Sequence, residues 1–159
     1  MSRPRRSPSD SRVEMTEIVL PEDSNPRGSV FGGRVLALID KCAAVVALRH
    51  SRSEVVTVAM DSVEFRSGVR VGDVLALEGR LNAAFGSSME VEVVVHAEDP
   101  LSGRRTLTTT AFVTMVAVGP DGRPSAVPEL RIESDDDRRR ASDAQARRAA
   151  RLARRGGAA

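Results

Sequence analysis

The pattern of apolar and polar residues predicts one long helix in the first third of the chain. Over residues 33–50, apolar side chains recur every three or four positions, which is the spacing of one helix face. The stretch is also rich in alanine, the residue that favours a helix most. Arg49 and His50 at its end suit the negative pole of a helix dipole. The apolar face consists of Val35, Leu36, Ile39, Ala43, Val46 and Ala47.

Five further segments have the composition of β-strands. They are rich in Val, Leu, Thr and Phe, and turn residues separate them. Short turns between successive strands predict an antiparallel sheet. One long helix with such a sheet predicts an α+β domain, with the helix on one face of the sheet. The segments are residues 13–20, 55–65, 74–82, 89–97 and 106–118.

Charge divides the 159 residues into three segments. The whole chain has a net charge of +2, yet residues 13–133 are acidic and the basic excess lies at the two ends. We expect residues 1–12 to be a disordered basic arm, because Arg, Ser and Pro offer no apolar surface to bury. Residues 134–159, rich in Arg and Ala, are expected to form a solvated tail that is disordered or partly helical. Residues 13–133 would form the folded domain.

The composition also excludes several classes of function. An acidic domain with four Phe and no Trp or Tyr does not suit specific nucleic-acid binding. Cys42 is the only cysteine, which excludes an internal disulfide and a cysteine-rich zinc site. The sequence has no serine-hydrolase, zinc-protease or phosphate-loop motif, and no apolar run that could span a membrane. We therefore expect a cytoplasmic protein with no metal or organic cofactor.

Asp40 is the candidate reactive residue that the helical pattern singles out. It lies in mid-helix, one turn after Leu36 and one turn before Ala44, on a face that we expect to be packed. A buried carboxylate is costly unless it finds partners, so its presence needs a reason. Either Asp40 acts in a functional site, or it pins the helix to a neighbouring strand or subunit.

The glycine pair Gly32 and Gly33 supplies a candidate oxyanion site. Backbone amides at a helix start have no acceptor within the helix and stabilise negative charge on an approaching oxygen. Asp40 lies seven residues after Gly33, which is roughly 10 Å along a helix axis. One chain therefore cannot bring both groups to one carbonyl, whereas two protomers packed side by side would each supply one part.

Seven short motifs occur in this order: PEDSNPRGSVFGG at 21–33, LALID at 36–40, VTV at 56–58, VEF at 63–65, VGD at 71–73, GSSMEV at 86–91 and TAF at 110–112. Together they resemble the hotdog-fold acyl-CoA thioesterases of the YciA and brain acyl-CoA hydrolase type, over residues 13–130. The resemblance implies a curved antiparallel sheet of about five strands around a long central helix. It also implies homodimers that pair through edge strands, and often homohexamers built as trimers of dimers.

The resemblance implies a role for each site residue. Asp40 matches the catalytic carboxylate, which acts as general base or attacks the thioester itself. Asn25 matches a polar residue that orients the water or the thioester, and the Gly33 amide would hold the thioester oxygen. The residues that would line the path of acyl-CoA are Phe31, Gly32, Thr57, Val58, Gly86, Ser87 and Ser88.

Other functions fit parts of the sequence. The Asp23-Ser-Asn25-Pro26 run resembles a pattern of hotdog hydratases and dehydratases, although Arg27, Gly28 and Ser29 stand where those enzymes carry a histidine. A non-catalytic acyl-CoA-binding protein, or an adaptor that uses the basic tail to contact RNA or membrane, is a further alternative. The sequence as a whole predicts an enzyme that hydrolyses acyl-CoA to free CoA and a carboxylic acid.

Overall fold

A five-stranded antiparallel sheet packs against one long helix in the computed structural model, which describes residues 2–157. The predicted α+β architecture, with a long helix and about five strands, is confirmed. The elements in chain order are β1 (Arg5–Arg6), β2 (Val13–Ile18), α1 (Gly32–Ser51), β3 (Glu54–Asp61), β4 (Val74–Ala84), β5 (Ser88–Glu98), β6 (Arg105–Val118), β7 (Glu129–Leu130) and α2 (Asp135–Gly156).

The strand order of the main sheet is β2-β4-β5-β6-β3, so β2 and β3 are its two edges. Successive strands pair from β4 to β6, but β3 pairs only with β6. β3 ends at Asp61, four residues before the predicted end, because Ser62 takes a left-handed backbone conformation with a φ of 55°. The edge position of β3 brings its side chains next to the margin of α1.

Apolar packing holds α1 on the inner face of the sheet. Val35, Leu38, Ile39 and Val46 of the helix are buried against the apolar residues of the strands. At Gly79 the helix approaches β4 closely, since a Cβ there would lie 2.7 Å from the Cys42 Sγ. The helix is one residue longer at each end than the pattern predicts.

The first residues of the chain are ordered, which corrects the expectation of a disordered arm. β1 pairs in parallel with β7, and a short 3₁₀ helix follows at Pro8–Ser11, capped by the Ser7 hydroxyl. Arg3 donates to the Phe85 carbonyl at 2.7 Å, and Arg6 donates to the His50 carbonyl at 2.6 Å. The composition predicted disorder wrongly because hydrogen bonds to backbone carbonyls hold residues 2–12, and such bonds need little buried apolar surface.

The tail is also structured, as helix α2 on the outer face of the sheet. Its arginines form ion pairs with acidic residues of two strands, β3 and β5, so the tail is helical, as one of the two expected alternatives had it, but it packs on the sheet and is not a solvated tail. Near its start, α2 instead supplies the acidic partner, since Asp137 pairs with Arg80 of β4. The partners are Arg140 with Glu92, Arg147 with Glu90 and Arg151 with Asp61. Neither helix within residues 2–157 is both long and apolar enough to cross a membrane.

Candidate active site

The carboxylate of Asp40 forms a hydrogen bond with Thr57 between α1 and the edge strand β3. The Thr57 hydroxyl donates to Asp40 Oδ1 at 2.6 Å, and the Thr57 Oγ1 also lies 3.4 Å from the Met115 sulfur on β6. Asp40 is only half-buried, so the expectation of a fully packed carboxylate is wrong for a single protomer. The physical reason is that its helix face lies at the open margin of the sheet.

The start of α1 presents two backbone amides without helical acceptors. Phe31 is the N-cap, and its carbonyl accepts from the amides of Arg34 and Val35. The amides of Gly32 and Gly33 precede these donors, as the first amides of any helix do. A Cβ on Gly33 would meet no atom within 4 Å, so the space beside it is open. The structure thus places the predicted oxyanion donors where a ligand oxygen could reach them.

Asn25 lies in a tight turn that packs on this helix start. Its Oδ1 accepts from the backbone amides of Arg27 at 2.9 Å and Ser29 at 3.2 Å. Within residues 2–157 its side-chain nitrogen has no acceptor, which leaves two N–H donors for a ligand. An ion pair between Asp23 and Arg34, at 3.2 Å, holds the turn against α1.

Asn25 and Gly32 share one cleft of about 340 Å³. Sequence reasoning missed most of its wall. Phe65 gave a partial signal, since it belongs to the VEF motif, and its ring lies 3.4 Å from the position of a Cβ on Gly32. Thr108 gave no sequence signal, because it stands in a run of threonines. The other lining residues are Ser29, Val30, Val35, Arg66, Ser67, Gly68 and Val69.

The structure does not bring Asp40 and Thr57 to this cleft in one protomer. They are absent from its lining, in agreement with the roughly 10 Å that two helical turns put between Gly33 and Asp40. Val58, the next residue of β3, is exposed. Within a protomer the predicted site is therefore in two pieces, one at the helix start and one at mid-helix.

The Gly86-Ser87-Ser88 turn lies apart from both pieces. Ser88 is opposite Val116 of β6, which is opposite Val56 of β3, so two strand spacings, about 10 Å, separate this turn from the Thr57 region. The Gly86 carbonyl accepts from the Val127 amide and from Arg3. These contacts fix the turn at the end of the sheet.

Two other reactive side chains are unsuited to catalysis. Burial raises the pKa of the Cys42 thiol to about 11, so it is not a ready nucleophile. His50 is fully buried, its Nε2 lies 2.9 Å from the Pro128 carbonyl, and burial lowers its pKa. Within residues 2–157, no group of three or more His, Cys, Asp or Glu residues is arranged to hold a metal ion.

Comparison with known proteins identifies the family of this chain. Its residues 27–103 match the model of the thioesterase superfamily. Over 128 residues the chain is 38% identical to YkhA of Bacillus subtilis, an uncharacterized acyl-CoA thioester hydrolase, with 80% of this chain and 74% of YkhA covered. The chain belongs to the thioesterase superfamily. The resemblance to hotdog acyl-CoA thioesterases is thereby confirmed.

This thioesterase-superfamily chain is shorter than its mammalian relatives. It is 34% identical over 140 residues to the cytosolic acyl coenzyme A thioester hydrolase of Mus musculus, a match that covers 86% of this chain. It spans only 36% of the length of that mouse protein.

Solved structures of thioesterases share the fold over nearly the whole chain. An apo-hexameric acyl-CoA thioesterase superposes with a TM-score of 0.90 at 44% identity, covering 95% of this chain and 97% of that one. An acyl-CoA hydrolase from Staphylococcus aureus, solved with butyryl coenzyme A, coenzyme A and coenzyme A disulfide, has a TM-score of 0.88 at 34% identity, with 96% and 93% covered.

Three structures of the Staphylococcus aureus hydrolase carry alanine in place of an asparagine, an aspartate or a threonine. The aspartate follows the asparagine by 15 positions, and the threonine follows the aspartate by 17. Asn25, Asp40 and Thr57 of this chain are the same residue types at the same spacings. The two pieces of the candidate site thus contain the same three residue types.

Proposed function

We propose that this protein hydrolyses acyl-CoA thioesters to free CoA and a carboxylic acid, with Asp40 as the catalytic carboxylate. The hydrogen bond from Thr57 to Asp40 is the observation that carries the proposal, because it holds a carboxylate at an otherwise apolar helix face. Support also comes from the relatives, which are named acyl-CoA thioester hydrolases. Enzymes with that name cleave the bond between an acyl carbonyl and the CoA sulfur.

The hydrogen bond from Thr57 orients the Asp40 carboxylate for the reaction. With Oδ1 held, Oδ2 is the oxygen available to the substrate. Asp40 either removes a proton from the attacking water or attacks the carbonyl carbon itself, and water then hydrolyses the resulting anhydride. In both routes the carbonyl oxygen gains negative charge before the CoA thiolate leaves. The amide of Gly33 and the side-chain nitrogen of Asn25 would stabilise that charge.

Two protomers would complete each site, because one protomer holds Asp40 and Asn25 in separate places. The edge strand β3 has an unpaired side and exposes Val56 and Val58, while α1 exposes Val45 and Leu48. We propose that this apolar surface pairs with its copy, so that Asp40 of one protomer meets Asn25 and Gly33 of the other. Homohexamers of such dimers are supported by the hexameric state of related thioesterases.

A thiol-release assay over a panel of acyl-CoA chain lengths tests this function. We expect activity on at least one acyl-CoA, and a loss of about 10²-fold or more in Asp40→Asn, since the variant keeps the shape but removes the base. Asp135→Asn is the matched control, because that carboxylate is fully exposed on α2. No activity on any acyl-CoA, or full activity in Asp40→Asn, would contradict the proposal.

Two further expectations accompany this function. Hydrolysis should need no metal ion or organic cofactor, so treatment with EDTA should leave the rate unchanged.

We also propose a cytoplasmic location, because a chain with one buried cysteine suits a reducing compartment. Fractionation of cells that express the full chain would check this location.

A further inference from the structure

The wall of the Asn25–Gly32 cleft contains a buried hydroxyl that has no hydrogen-bond partner. Thr108 lines the cleft and is 1% exposed, and within residues 2–157 no group pairs with its Oγ1. An unpaired buried hydroxyl costs folding free energy, which valine, of nearly the same shape, would avoid. In the part of the chain that the structure describes, the hydroxyls of Ser11 and Thr109 are buried and unpaired as well, but Thr108 is the one of the three that lines the cleft.

A β-bulge places Thr108 in the cleft wall. Val95 of β5 pairs with Thr109 and His96 pairs with Leu107, so Thr108 is an extra residue of β6 with no partner on β5. Bulges are over-represented beside active sites, where they re-aim a side chain. The Thr108 carbonyl accepts from the Arg66 amide at 2.8 Å, which ties the bulge to the loop that forms the adjoining wall.

The rest of the cleft fits a short acyl group. Val35, Val69 and Phe65 provide apolar walls, and the volume of about 340 Å³ has room for a few carbon atoms. Asn25 lines the same cleft, as does Gly32 at the start of α1. An acyl chain whose thioester lies at the helix start would extend past the apolar walls toward Thr108 in the cleft wall.

We propose that Thr108 is a specificity-determining residue that selects short acyl groups bearing an oxygen atom, such as hydroxyacyl groups. This proposal rests on the proposed hydrolysis of acyl-CoA. The hydroxyl, which has no partner among residues 2–157, pairs with the oxygen of the acyl chain. A plain alkyl chain of the same length leaves the hydroxyl unpaired. A site built to bind a substrate hydroxyl discriminates strongly against an analogue that lacks it.

The test compares kcat/KM for butyryl-CoA with that for 2-, 3- and 4-hydroxybutyryl-CoA. In the wild-type protein we expect at least one hydroxy isomer to be preferred over butyryl-CoA by about ten-fold or more. Thr108→Val should abolish that preference, which is read from the ratio of the kcat/KM values for the two substrates. Thr108→Ser retains the hydroxyl and should retain the preference. An unchanged substrate ratio in Thr108→Val, or no preference in the wild type, would overturn the proposal.

Thr109→Val is the matched control. The Thr109 hydroxyl is also buried and without a partner within residues 2–157, but the residue does not line the cleft. This variant should leave the substrate ratio unchanged, and a shift as large as that of Thr108→Val would also contradict the proposal.

If the wild type cleaves none of the four thioesters, nor any in the chain-length panel, the hydrolase function itself fails. That outcome is distinct from activity without selectivity.

Discussion

The two helices cover opposite faces of one sheet through different interactions. On the inner face, α1 contributes Leu38, Ile39 and Val46 to a continuous apolar core. On the outer face, α2 is held by ion pairs, and the guanidinium of Arg147 contacts both oxygens of Glu90 at 3.0 and 2.7 Å. The acidic excess of residues 13–133 and the basic excess of residues 134–159 therefore meet at one interface.

The contacts of α2 show how a highly polar helix can be held on the face of a sheet. Glu90 is 2% exposed, and Asn82 donates to it in addition to Arg147. Burial works against the charge on Arg147, but the hydrogen bonds to Glu90, together with the charges of Glu90, Asp143 and Glu92, outweigh it and raise the pKa of Arg147. The same guanidinium lies 3.7 Å from the centre of the Phe112 ring. On the outer face, ion pairs of well-defined geometry therefore hold α2 in place of a large buried apolar area.

The largest effect is expected on the inner face. Leu38→Ala should lower the free energy of unfolding by about 2–5 kcal/mol, because it removes buried methyl groups and leaves a cavity. Leu152→Ala on α2 is the matched control and should cost about 0.5 kcal/mol or less, since Leu152 is exposed. Urea unfolding of both variants measures the difference. Equal losses of stability in the two variants would contradict the difference between the apolar packing of α1 and the ion pairing of α2.

The next effect concerns the buried ion pair on the outer face. Arg147→Met should cost about 2–3 kcal/mol, below the range for fully buried pairs because Arg147 is a quarter exposed. The loss comes mainly from leaving Glu90 charged and unpaired. The double variant Arg147→Met with Glu90→Gln should therefore recover part of the stability. A double variant less stable than Arg147→Met would contradict this account of Glu90.

A smaller, pH-dependent effect is expected where α1 meets the first residues of the chain. Burial lowers the pKa of His50, with Arg6 adding to the shift and the Pro128 carbonyl and Asp10 opposing it. The folded state then binds the proton less readily than the unfolded state. Stability is complete above the ordinary histidine pKa of about 6.5 and falls as the pH drops below it. Thermal unfolding between pH 7 and pH 5 should show a weaker dependence in His50→Gln; an identical dependence would contradict the role of His50.

The smallest effect is expected for an exposed pair on α2. Arg138 and Asp135 are one helical turn apart at 3.0 Å, and both side chains are largely in solvent. Arg138→Ala should change the free energy of unfolding by about 0.5 kcal/mol or less. If urea unfolding gave a loss as large as that of Arg147→Met, burial would not be what distinguishes the ion pairs of α2.

The inner face was predictable from sequence because apolar periodicity records burial. The long helix and the five strands follow from that pattern, and the alternation around Val91 records one face on the core and one under α2. Ordering of the two ends was not predictable. It depends on single polar contacts, such as Arg6 on the His50 carbonyl, which leave no periodic signal.

The candidate site was predictable in part for the same reason. Asp40 stands out because it interrupts an apolar helix face, and Gly33 because it begins the helix. The hydrogen bond from Thr57 to Asp40 joins residues 17 positions apart and depends on how β3 pairs at the sheet edge. Thr108 depends on a bulge, and a run of threonines does not reveal which residue is the extra one.

The proposed active site requires Asp40 of one protomer to act with Asn25 of another. Asp40→Ala and Asn25→Ala should each have little activity alone. When the two variants are unfolded together and refolded as a mixture, every mixed dimer contains one site with both residues intact. We predict that thiol release on acyl-CoA recovers to about a quarter of the wild-type rate, because half of the dimers are mixed and each has one intact site of two. Rates no higher than those of the separate variants would contradict a site shared between protomers.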